Sequence, residues 1–141
     1  MAIKNYRTGV KAAKTIGEIQ AILAKGGCGS VSIDYEQGHP SAVRFSIIFH
    51  GQDLWFRLPC NPEGVLETMK RDNAPNRTLD RARDIAWRIV KDWLDAQMAI
   101  IDAGQAKAAE VFMPYAIQPS GQTLFEMFEN QQRQLTTGAD A

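Results

Sequence analysis

An unbroken helical period of apolar residues runs from Thr78 to Ala103, and a helix of that length dictates what the rest of the chain must supply. Ala82, Ile85, Ala86, Ile89, Trp93, Ala96 and Ile100 form its stripe, widened by Val90, Leu94 and Ile101. Asp84, Arg88, Lys91, Asp95 and Asp102 fall on the opposite face. Asn76 or Thr78 is the expected cap, and Gly104 the stop. So wide a stripe exceeds what a small sheet can cover. A second helix or a second subunit is therefore expected on it, the latter making a homodimer.

Upstream, three runs alternate with period two. Val31, Ile33 and Tyr35 form one apolar set, Val43, Phe45, Ile47 and Phe49 the second, and Leu54, Phe56 and Leu58 the third. Their intervening residues are mixed, which predicts an antiparallel meander covered on one face. Gln37 to Ser41 reads as a loop of about five residues by its turn-forming types. His50-Gly51-Gln52-Asp53 suits a two-residue turn with Gly51 first. That turn sets Phe49 opposite Leu54, Ile48 opposite Trp55 and Ser46 opposite Arg57, and the first hairpin allows Asp34 opposite Arg44.

Thr15-Ile16-Gly17-Glu18 fits a capping box for a short first helix, with Gly26-Gly27 ending it. A helical turn is expected within Gly64 to Arg71. Val111 to Ile117 reads as an extended edge strand or strap broken by Pro114, and Ser120 opens a last helix with Leu124, Phe125, Phe128, Gln131 and Leu135 helically spaced. The expected architecture is α+β in the order α-β-β-β-α, with a C-terminal extended segment and helix. Its parts are a basic arm at residues 1–14, one domain at 15–135 and a frayed tail at 136–141.

Charge is unevenly spread. Residues 1–91 hold 14 Lys+Arg against 9 Asp+Glu, residues 92–141 hold 2 against 7, and the chain is neutral overall. A neutral chain does not bind DNA by bulk charge. No apolar run approaches the roughly 18 residues of a membrane span. Met1 to Lys14 has no leader-like apolar stretch, and Cys28 and Cys60 are too few for a disulfide framework. A cytoplasmic protein with reduced thiols is expected.

Catalytic signatures are missing from the sequence. Gly26-Gly27-Cys28-Gly29 lacks the Lys-Ser/Thr of a phosphate loop, His39 and His50 sit in separate turns, and no nucleophile elbow occurs. No cofactor and no metal site is expected, and the chain is read as a non-enzyme. A weaker alternative places a divalent ion among Asp34, Glu36, Asp53 and Glu63 or Glu67, as a carboxylate-dependent enzyme would need.

Contact residues offer more. Trp55, Arg57 and Arg44 share the uncovered sheet face, where a ring can stack on a base and guanidiniums can meet phosphate, or where the same residue types can anchor a protein. The competing expectation is that residues 111–135 fold over this face. Arg77, Arg81, Arg83 and Arg88 surround the start of the long helix, with Trp87 toward the edge of its stripe. Lys4 and Arg7 add the basic arm. Asp72, Asp80 and Asp84 are placed to neutralise part of this cluster.

Ala-Trp-Arg-Ile-Val-Lys-Asp-Trp-Leu-Asp-Ala-Gln (86–97), followed by Val-Phe-Met-Pro-Tyr-Ala (111–116), resembles a family of small bacteriophage and prophage proteins. The resemblance spans about residues 15–128 and implies an accessory protein of a phage-infected cell, without implying an activity. The α-β-β-β-α order is also similar in topology to double-stranded RNA-binding domains, whose lysine-rich helix start is loosely echoed by Arg77, Arg81 and Arg83. The expected function is a phage accessory protein contacting nucleic acid through these residues. The alternative is a protein-binding module, such as an inhibitor of a host or defence protein, acting through its acidic C-terminal half.

Overall fold

A computed structural model describes residues 5–139, and side chains through residue 137. The elements are α1 (Ala12–Lys25), β1 (Ser30–Glu36), β2 (His39–Phe49), β3 (Gln52–Pro59), α2 (Pro62–Arg71), α3 (Leu79–Asp102), α4 (Ala108–Phe112), a 3-10 turn at Met113–Tyr115 and α5 (Leu124–Ala139). The three strands form an antiparallel meander in the order β1-β2-β3, and the class is α+β as expected.

Both hairpins close through two-residue turns. Gln37 and Gly38 have φ of 51° and 80°, and His50 and Gly51 have 51° and 78°. Positive φ at both central positions is the type I′ geometry, whose twist matches that of the strands. His50 is therefore the first central residue, not Gly51, and the β2–β3 register shifts by two from the expected one. Phe49 pairs with Gln52, Ser46 with Trp55, Phe45 with Phe56 and Arg44 with Arg57. A shift of two preserves the faces, so the inward set survives the error. In the first hairpin a bulge between Asp34 and Tyr35 absorbs the extra residue near Pro40, where a ladder donor is missing. Asp34 faces Ala42 and reaches Arg44 diagonally, its two oxygens accepting from Nε at 2.9 and 3.0 Å.

One face of the sheet carries the core. Val43, Phe45, Phe56 and Leu58 meet Ile16, Ile19 and Leu23 of α1, Trp87 and Leu94 of α3, and Phe112 of α4. Phe45 stacks on Phe56 at 5.4 Å between ring centroids, and Phe112 stands edge-on to Phe45 at 5.1 Å. A smaller cluster of Met69, Ala74, Ala82 and Ile85 fastens α2 to α3. The breadth of the α3 stripe is thus used within the chain, by α1, α2 and the sheet together. A second helix covers it, and α3 alone supplies no reason for a second subunit.

Long-range partners reset several helix ends. α1 begins at Ala12, upstream of the expected box, because the Asp84 carboxylate on α3 accepts the Ala12 amide at 2.9 Å. Thr15 is consequently buried inside the helix, its hydroxyl without a hydrogen-bond partner among the described residues. Glu18 pairs with Arg88 instead of reaching back to its own helix start. α2 is longer than the expected turn, with Asn61 accepting from the Gly64 amide and Pro62 opening the helix. Thr78 is the cap of α3.

The segment expected to be extended from Val111 is helical through Tyr115. Only then does it pair along β3: Ala116 bridges Phe56, and the Ile117 amide donates to the Trp55 carbonyl at 2.8 Å. α5 starts at Leu124, four residues after Ser120. Its cap is Thr123, which accepts from the Glu126 amide while Glu126 accepts from the Thr123 amide at 2.7 Å.

Candidate functional site

Arginine pairing decides what the expected contact residues can offer. On the sheet, Arg44 is held by Asp34, and Arg57 by Glu126 at 2.8 Å and by the Gly121 carbonyl at 3.1 Å. At the start of α3, Arg83 pairs with Asp80 and Arg88 with Glu18, both at 2.6 Å. Arg81 donates to the Tyr6 carbonyl at 2.8 Å, and Arg77 to the Asn73 side chain. Within this cluster Arg83 and Arg88 are compensated by carboxylates, whereas Arg77 and Arg81 donate to neutral oxygens. Arg7 is exposed, and Lys4 lies outside the described residues.

The described part of the basic arm is fastened to the domain through Asn5 and Tyr6. The Asn5 amide donates to Asp92 at 3.0 Å, and the Tyr6 hydroxyl to Asp72 at 2.8 Å. That hydroxyl, with Arg71 beside it, holds the Asp72 carboxyl below its ordinary range.

The tryptophans divide differently from expectation. Trp87 is only 1% exposed and is the largest fully buried side chain, so it is unavailable as a contact residue. The helix leans on α1 as well as on the sheet, which rotates the Trp87 side into the core. Trp93 is half-buried at the other edge, against Phe112 and Tyr115. Trp55 is 40% exposed on the open sheet face, in a shallow groove with Arg44, Asp53, Ile117 and Pro119. Residues 116–121 border this face without closing over it. The charges around Trp55 are of both signs: Arg44 and Arg57 against Asp34, Asp53 and Glu126. Such a surface has little net attraction for a phosphate backbone.

Neither thiol is activated. Burial pushes the Cys28 thiol up to about 11 and, with the Glu63 charge adding to it, the Cys60 thiol up to about 12. Among the described residues no group of three or more His, Cys, Asp or Glu side chains could hold a metal ion, and no helix is long and apolar enough to cross a membrane.

The surface that the residue pattern did not single out is α5. The polar side of its first turns faces the domain, where Glu126 binds Arg57 and Asn130 is half-buried, while farther along Glu129 and Arg133 pair with each other at 3.0 Å in the open. Its apolar side faces water: Phe125 is 53% exposed, Phe128 56% and Leu135 61%, with Leu124 and Met127 also exposed. The cause is the anchor. Thr123 and Glu126 lock the first turn, Arg57 fixes Glu126, and the rotation of the helix follows. The Thr123 amide, foremost, and Arg57 hold the Glu126 carboxyl below the ordinary glutamate range. A sequence signal did exist, since Glu126 stands three residues after Thr123 in a capping box that orients the apolar stripe.

Comparison with protein-family models, curated proteins and solved structures finds no significant match for the chain.

Proposed function

We propose that the protein is a non-enzymatic protein-binding module whose contact surface is the outward apolar side of α5. One observation carries this reading: α5 bonds its polar side to the domain and turns two phenylalanines and two leucines to solvent. A contiguous exposed apolar stripe of this kind costs solvation free energy in an isolated chain and is repaid by a partner. Helix-in-groove recognition uses anchors at this spacing.

This reading places the working surface in the acidic C-terminal half and fits an inhibitor or adaptor of the phage-infected cell that the resemblance implies. Nucleic-acid contact draws less support, because Arg44, Arg57, Arg83 and Arg88 are each spent on a carboxylate.

The deciding experiment compares the parent with Phe128→Glu as bait in host lysate, alongside anisotropy with short DNA and RNA at two salt concentrations. The expected result is a stoichiometric protein partner, from the lysate or an added untagged copy of the chain, that Phe128→Glu loses, with no salt-sensitive nucleic-acid binding. Affinity for nucleic acid that falls steeply with salt would overturn the reading in favour of the arginine surface.

A further inference from the structure

We infer that the apolar side of α5 takes a second copy of this chain, the two α5 helices packing antiparallel about a two-fold axis. The inference rests on α5 being a contact surface, and it names the partner.

Spacing is the first support. Leu124, Phe128, Gln131 and Leu135 follow one another at steps of four, three and four, the seam of a two-helix coil, with Phe125 and Met127 flanking it. Such a seam marks the docking side of the helix whether the partner is a groove or another helix.

Charge is the second support. A two-fold axis sets each residue of one copy against a different residue of the other, and only residues at the axis meet themselves, so a charge in the seam would need an opposite charge at the opposed position. The α5 seam carries none: its polar members are Gln131, Gln132 and Gln134, whereas Glu126, Glu129 and Arg133 lie toward the other side. A surface neutral in every seam position is compatible with itself.

Direction follows from where the domain attaches. Residues 131–137 are all exposed, so the C-terminal half of α5 stands clear of the domain, which holds only the N-terminal turns. Antiparallel pairing puts the two domains at opposite ends and opposes the helix dipoles. It sets Leu124 opposite Leu135 of the partner subunit and Phe128 opposite Gln131 of the partner subunit. Parallel pairing would crowd both domains and both acidic helix starts at one end.

The area is adequate for a reversible dimer. Taking aromatic side chains at about 200 Å² each, the five exposed apolar residues leave roughly 450 Å² per copy, and the glutamines bring it to about 600 Å². Complete burial of that surface in both copies would only just reach the lower bound of specific interfaces, so the dimer is weak and dissociates on dilution.

Sedimentation equilibrium over a wide concentration range tests this with the full chain. The parent should rise from 15.7 kDa to twice that mass with concentration, and Phe128→Glu should stay at 15.7 kDa with unchanged circular dichroism. Mixed Leu124→Cys and Leu135→Cys chains should form a disulfide-linked heterodimer that neither forms alone. The native thiols, pushed up by burial, compete little near neutral pH. A parent that is monomeric throughout overturns the second-copy inference, while lysate capture lost in Phe128→Glu would still uphold the protein-binding reading. Cross-linking of Leu124→Cys chains with each other overturns the antiparallel arrangement. A Phe128→Glu chain that behaves as the parent in both assays overturns both readings.

Discussion

Replacing Trp87 by alanine separates a core tryptophan from a surface one more cleanly than any other single change. The side chain is 1% exposed and belongs to the cluster that joins α1, α3, α4 and the sheet through Ile19, Phe45, Phe56, Leu94 and Phe112. Trp→Ala at such a site loses the transfer free energy of the ring and leaves a cavity that a sheet and three helices cannot all close, about 3–5 kcal/mol. Domains of this size are stable by about 5–15 kcal/mol, so about a fifth of the total or more would go. At a urea slope of about 1.5 kcal/mol per molar, the unfolding midpoint should fall by roughly 2–3 M. Urea titration followed by far-ultraviolet circular dichroism reads this without relying on the indole itself. Trp55→Ala, on the open face, is the control and should move the midpoint far less. A Trp87→Ala shift worth less than about 1 kcal/mol would show that the ring is not packed in the core, and its place at the helix edge would be restored.

Asp84→Ala removes the acceptor of the Ala12 amide and the partner of Lys11, and should cost about 1–2 kcal/mol, lowering the melting temperature by roughly 3–8 °C. Asp84→Asn, which keeps an acceptor, should cost less, and calorimetry of the pair checks the cap. The anchoring of α5 should depend on pH with a definite sign. Glu126 has a lowered folded pKa, so its contribution is fully present above the unfolded value of 4.5 and fades as pH falls through the folded value. The protection factors of residues 124–130, each exchange rate taken relative to the intrinsic rate at the same pH, should therefore fall on acidification below that point, and Glu126→Gln should abolish the dependence; parent protection factors with no acid sensitivity would refute the anchor. Cys28 and Cys60 should react slowly with a disulfide reagent near neutral pH in the native protein and rapidly in urea, because burial suppresses both thiolates. Equal rates in both states would remove that account.

Local pattern sufficed wherever the deciding interaction is local. The period-two runs name the inward residues Val43, Phe45, Phe56 and Leu58, because side-chain alternation is a property of the strand itself. Parity protected that reading even when the turn residue was misplaced by one and the register by two. The length and cap of α3 follow from its 3.6-residue period and from Thr78, three residues before Arg81.

Tertiary structure decided whatever depends on which way a helix is rolled. Asp84 lies on the polar side of α3 by spacing, yet the packing of α1 buries it against the Ala12 amide, where it outcompetes Thr15 as the cap. Trp87 moved from rim to core for the same reason: α3 has covers on more than one side, and periodicity cannot say where each sits. The arginines of the basic cluster are visible in the sequence, but their carboxylate partners are up to 70 positions away and become neighbours only in the fold. α5 is the plainest case. Its amphipathic pattern is legible from residues 124–135, but a pattern has no inside or outside until something anchors it. Arg57 on β3 holds Glu126, and that one ion pair leaves the apolar side facing water.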